Sequence, residues 1–218
     1  MKFYNRTSEI KFLREIADKS AKNAQFTVIT GRRRIGKTQL ILKTFEEEKI
    51  LYFFVARKSE ILLCNDFQRE LHEKLKIPIL GEIQSFTLLF EYIIELSKSQ
   101  KITLVIDEFQ ELQNINPSIY SDMQHIWDST KEKSKINLLV CGSIYSMMTR
   151  IFENSKEPLF GRATQRIHLK PFNIHCLKQI LREQYPTYTA EDLLAFYLFT
   201  GGVAKYVELI VQAKAFTK

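Results

Sequence analysis

Between an apolar run, Phe26-Thr-Val-Ile-Thr30, and a helix-forming run, Gln39-Leu-Ile-Leu-Lys-Thr-Phe45, the chain carries Gly31-Arg32-Arg33-Arg34-Ile35-Gly36-Lys37-Thr38. A glycine-bounded loop that joins a strand to a helix and ends in Lys-Thr leaves few foldings open. The strand must stop at a sheet edge, the loop's N–H groups must curl inward, and the helix must point its positive dipole end at the same spot. Glycine at 31 and 36 permits the backbone conformations and the close approach that such a cradle requires. Lys37 reaches toward terminal phosphates, and the Thr38 hydroxyl suits Mg²⁺. Gly31 to Thr38, with Gln39 beside them, are therefore the candidate nucleotide contacts; the alternative is a glycine turn that binds nothing.

Four further runs read as strands: Leu51–Val55, Ile102–Ile106, Asn137–Cys141 and the weaker Gln165–Leu169. Helical patterns lie near Thr7, where threonine offers a cap, and around 37–47, 60–75, 85–98, 117–131 and 143–152. Near-continuous apolar strands alternating with helices predict an α/β fold, a five-stranded parallel sheet covered on both faces. Pro171 closes the alternation, and 173–184, 189–199 and 203–215 read as helices with no strand among them. The expected organisation is a core over 1–171 and a small helical lid over 172–218. Glu46-Glu47-Glu48 reads as a solvated helix end.

At 218 residues the chain buries about 70% of its unfolded surface without disulfide or metal. Its 32 basic against 25 acidic residues give a net charge of +7, compatible with nucleic acid or with a triphosphate ligand. The three cysteines, Cys64, Cys141 and Cys176, form no close pair, and Cys141 reads as a small core residue. His72, His125, His168 and His175 lack metal-ligand spacing, so no zinc site is expected. No signal-peptide pattern or apolar run near the ~18 residues of a membrane span is present, giving a cytoplasmic expectation with no membrane partner.

The strand Ile102–Ile106 runs into Asp107-Glu108. A buried strand that ends in two carboxylates delivers them to the sheet's carboxyl edge, where ligands of open α/β sheets bind. Asp107 is the candidate Mg²⁺ holder opposite Thr38, and Glu108 the base for a water attacking the γ-phosphate. The bland alternative is that the acids cap the following helix. Glu108 beside Asp107, with no guanine-reading N-K-x-D motif, favours ATP over GTP. Ser143, at the end of the next strand, is the candidate sensor of the attacking water; its alternative role is a helix N-cap.

Taken in order, these motifs resemble the archaeal-type AAA+ ATPases, near the origin-recognition and STAND branches. The resemblance also rests on Phe3-Tyr-Asn-Arg6, Gln124-His-Ile-Trp-Asp128, Pro158-Leu-Phe-Gly-Arg162, Leu169-Lys-Pro-Phe172 and Gly201-Gly-Val-Ala-Lys-Tyr206. It implies a P-loop sheet in strand order 5-1-4-3-2 with a lid over the nucleotide. Tyr4, Asn5 and Arg6 would then lie near the adenine, although Asn5 or Arg6 also reads as a surface residue. The resemblance further implies that Arg162 projects toward the γ-phosphate of a neighbouring subunit in a homo-oligomer. Its alternative is a loop arginine pairing with a local acid such as Glu157, and Arg166 is the runner-up. Relatives carry Gly-Gly-x-Pro where this chain has Ala204, and Lys205 stands where others place a lid arginine. Relatives also continue into further segments beyond the lid. Arg32, Arg33 and Arg34 face solvent or a subunit before they face DNA.

The leading expectation is an ATPase that binds ATP and Mg²⁺, hydrolyses ATP and remodels a partner protein or nucleic acid. The others are a signalling switch with little turnover and a DNA-binding ATPase of a mobile-element or defence system.

Overall fold

A computed structural model describes residues 2–77 and 81–216. Met1 and Thr217–Lys218, the ends of the two expected units, lie outside the described residues. The strands are β1 (Gln25–Thr30), β2 (Ile50–Phe54), β3 (Ile102–Asp107), β4 (Ile136–Gly142) and β5 (Gln165–His168). All pair in parallel, in the order β2-β3-β4-β1-β5. Written from the other edge this is the 5-1-4-3-2 order expected. The central strands β3 and β4 are buried along their whole length, as their unbroken apolar runs require. The register sets Thr30 beside Gly142 and Ile106 beside Val140, so β1, β3 and β4 end at one edge.

The period of two divides the apolar side chains between two layers. Phe26, Val28, Leu104, Ile106, Leu138 and Val140 face one side of the sheet. There they meet α3 (Glu60–Leu75), α4 (Phe86–Ser99), α6 (Ile119–Thr130) and α7 (Tyr145–Glu153). Ile29, Val105, Leu139 and Cys141 face the other side, against α1 (Thr7–Lys19) and α2 (Lys37–Thr44). Each fully buried side chain of this kind contributes about 1.5–3 kcal/mol.

Some local expectations are corrected. Thr7 opens α1 without capping it: Arg6 holds the N-cap position in a left-handed conformation, with no side-chain cap bond. Its guanidinium instead donates to Lys170 O at 2.6 Å and pairs with Glu9 at 3.1 Å. The helix expected over 37–47 ends at Thr44, and Glu46–Glu48 follow as an exposed turn. After β3 the chain forms a 3-10 turn, Phe109–Glu111, and a single-turn helix, α5 (Leu112–Ile115), before α6.

Beyond β5 stand α8 (Ile174–Gln184), α9 (Ala190–Thr200) and α10 (Ala204–Ala213). Asn173 caps α8, and Thr189 with Asp192 forms a capping box on α9. Leu177, Ile180, Phe196 and Val207 make their shared core, and Tyr4 from the N-terminal segment packs into it. Among the described residues no helix is long and apolar enough to cross a membrane.

Candidate functional site

The carboxyl edge of the sheet and the segment from Phe172 into α10 line a cleft of about 540 Å³. Its walls include Arg33 to Gln39, Asp107, Glu108 and Ser143 from the core, with Tyr4, Arg6, Phe172, Ala204 and Lys205 from the other side. Asn5 and Arg32 are exposed and do not line it.

The loop after β1 takes the shape its glycines allow. Gly31 lies so near the chain after β5 that a Cβ would stand 2.7 Å from Leu169 O, and Gly36 caps α2 at φ 97°. Lys37, the first residue of α2, is buried, and its ammonium donates to Gly31 O at 3.0 Å and to Arg32 O at 3.4 Å. Burial lowers its pKa, opposed by the negative charges of Asp107 and Glu108. A buried ammonium held by loop carbonyls beside a helix N-terminus is built to meet anionic oxygens.

Thr38 Oγ1 donates to Asp107 Oδ2 at 3.0 Å. Among the described residues no group of His, Cys, Asp and Glu could hold a metal by itself. A hydroxyl and a carboxylate side by side suit Mg²⁺, which binds through few protein oxygens and takes the remainder from phosphates and water. The donor set therefore fits the expected ion.

Glu108 does not use its side chain to cap the turn that follows. Its Oε2 accepts from Ser143 Oγ at 2.9 Å and from Gln110 Nε2 at 2.6 Å. Ser143 likewise does not cap α7, whose N-cap is Ile144; its hydroxyl is committed to Glu108.

At the other wall, Tyr4 is buried, donates to Glu183 at 3.0 Å and accepts from Gln184 at 3.0 Å. Arg6 is also buried, its guanidinium 5.1 Å from the centre of the Phe172 ring. Lys205 pairs with Glu208 at 2.7 Å, while its backbone N–H donates to Arg34 O at 3.2 Å. The Arg34 guanidinium lies 5.7 Å from the Tyr206 ring centre, so the loop after β1 touches α10 directly.

Arg162 lies elsewhere, in a depression at the amino edge of the sheet beside Asn23 and Gln25. It pairs with Asp128 at 2.9 Å and donates to Phe160 O at 2.7 Å. Glu157, the local acid expected as its alternative partner, pairs with Arg150 at 2.8 Å. Arg166 pairs with Glu153 at 3.3 Å.

Sequence reasoning missed Tyr52 and Gln110. The Tyr52 hydroxyl donates to Asp107 and lies 3.4 Å from Thr38 Oγ1. The signal for Tyr52 was its place on a strand adjacent to the Asp107 strand. Gln110 had only its nearness in sequence to Glu108.

Residues 3–210 match the family described as "ATPase domain predominantly from Archaea". An uncharacterized protein of Methanocaldococcus jannaschii, MJECL04, is 32% identical over 208 residues, 95% of this chain and 44% of that protein. The chain thus spans less than half the length of this curated relative. Among solved structures, the Walker-type ATPase PABY2304 of Pyrococcus abyssi superposes with a TM-score of 0.72 at 18% identity, covering 98% of this chain and 69% of that one. The Aeropyrum pernix ORC2 protein, solved as ADPNP–ADP complexes, superposes with a TM-score of 0.65 at 15% identity, covering 98% and 64%. The strand order, the loop at the carboxyl edge and the match over nearly the whole sequence agree: the chain belongs to the archaeal family of P-loop ATPase domains.

Proposed function

We propose that this domain binds ATP with Mg²⁺ in the cleft and hydrolyses it to ADP and phosphate. The observation that carries the reading is the convergence of Lys37, the bonded pair Thr38–Asp107 and the bonded pair Glu108–Ser143 on one cleft. The loop amides from Gly31 to Thr38 and the Lys37 ammonium take up the charge of the β- and γ-phosphates. Thr38 and Asp107 would hold Mg²⁺, which would supply further neutralisation of that charge. Glu108 accepts a proton from water as its oxygen bonds to the γ-phosphorus, and the bond from that phosphorus to the bridging oxygen breaks to release ADP. Ser143 and Gln110 aim the carboxylate. Tyr4, Arg6 and Phe172 form the base-side wall, joining the lid (172–218) to the core (1–171), so nucleotide occupancy moves the lid and, through it, a partner protein or nucleic acid. In the Glu108→Gln variant, steady-state phosphate release falls by about 10²–10⁴ while ATP affinity is retained. Unchanged turnover in that variant contradicts the assignment.

A second reading is a switch with little turnover. It is favoured by the two donors that already hold the Glu108 carboxylate. Wild-type turnover below detection with intact ATP binding selects it.

A further inference from the structure

Tyr52 lies on the edge strand β2, level with Val105 of β3, and packs with the α1–α2 layer. Asp107 is two residues beyond Val105 and therefore on the same face of the sheet, within diagonal reach. The two carboxylate oxygens of Asp107 are held differently. Oδ1 accepts from the Glu108 N–H at 2.9 Å, whereas Oδ2 accepts from Thr38 at 3.0 Å and also from the Tyr52 hydroxyl. The other aromatics of this strand, Phe53 and Phe54, carry no hydroxyl; the one at position 52 faces the carboxylate.

We propose that Tyr52 is a positioning residue of the metal site, its hydroxyl orienting the Asp107 carboxylate toward the ion that accompanies the nucleotide. The inference rests on the ATP–Mg²⁺ reading above. Partners of this kind, one bond removed from the ion, change metal affinity about 10–100-fold when lost. They leave contacts between protein and polyphosphate in place.

Mn²⁺ serves as the probe, titrated by electron paramagnetic resonance into protein saturated with ADP, with ADP affinity measured separately in EDTA. Tyr52→Phe keeps the ring and removes the donor. It is expected to weaken Mn²⁺ binding about 10–100-fold while metal-free ADP affinity stays within about twofold. Equal Mn²⁺ affinity in variant and wild type overturns the inference and leaves the ATP–Mg²⁺ reading standing. Loss of metal-free ADP affinity in the variant assigns Tyr52 to packing and overturns it too. Wild-type protein that binds no Mn²⁺ with ADP, or binds it equally after Asp107→Ala, removes the underlying reading and the inference together.

Discussion

Glu108 occupies the left-handed backbone region, φ 53° and ψ 42°, where a side chain costs about 1–2 kcal/mol relative to the right-handed helical region. The turn directs the carboxylate to Ser143 of the β4–α7 connection and to Gln110, itself buried. Strain of this kind persists where the surroundings over-determine it. Removing one of the two donors loosens the aim without touching the phosphate loop. Ser143→Ala is therefore expected to lower turnover about 10–100-fold, or roughly 1.4–2.7 kcal/mol of barrier, with ATP affinity unchanged. Phosphate-release kinetics beside calorimetric binding check it, and equal loss of affinity contradicts it. Lys37, Thr38, Asp107, Glu108 and Ser143 were all legible in the sequence, because each is fixed by its spacing from a strand end. Tyr52 and Gln110 were not singled out, since the strand order gave only adjacency and the folded sheet supplies the hydrogen bonds that engage them. For Arg6 the sequence left the cleft wall and the surface both open, because nothing local announces Lys170 O, a partner 164 positions away.

Five strands were readable to within a residue, four of them, all but the alternating edge strand β5, because largely apolar runs bounded by polar residues have one comfortable place, a sheet covered on both faces. Strand order is not a local property; it came from resemblance, and it decides the chemistry. With β4 between β1 and β3, Gly142 ends beside Thr30 while Val140 pairs with Ile106, so the residues just beyond, Ser143 and Glu108, come together. With β2 next to β3, Tyr52 comes within reach of Asp107. The segment after Asp107 was the element least visible. Phe109 and Leu112 anchor it in the core, while Glu111 accepts from Arg57 and Asn114, a pattern too short to show a helical period. Those contacts tie the β2–α3 connection to the turn that carries Gln110. Hydrogen bonding to Arg57, the largest influence on Glu111, lowers its pKa. A depressed carboxylate stabilises the fold above its unfolded pKa of about 4.3 and loses that contribution as pH falls through the folded value. The stability difference between wild type and Glu111→Gln, followed by urea unfolding, is expected to shrink toward zero below that range. A difference independent of pH contradicts it.

Across the whole molecule, the N-terminal segment is shared, with Tyr4 in the core formed by α8, α9 and α10 while α1 packs on the sheet. The start of α10 and the loop after β1 also meet through Arg34, Lys205 and Tyr206. Arg162 stands at the opposite edge of the sheet from its own cleft, so any part it takes in hydrolysis must be played on a second copy. An arginine supplied in this way accelerates related reactions about 10³–10⁵-fold. Arg162→Ala and Glu108→Gln proteins, each inactive alone, are then expected to regain phosphate release when mixed, since one brings the base and the other the arginine. No recovery at any ratio contradicts the trans role. All of this depends on the cleft holding a triphosphate through Lys37 and its loop, and isothermal calorimetry with ATP and Mg²⁺ tests that most directly. Wild-type protein is predicted to bind and Lys37→Ala to lose about 100-fold or more, near 2.7 kcal/mol. Absence of heat from both, or equal affinity in the two, contradicts it.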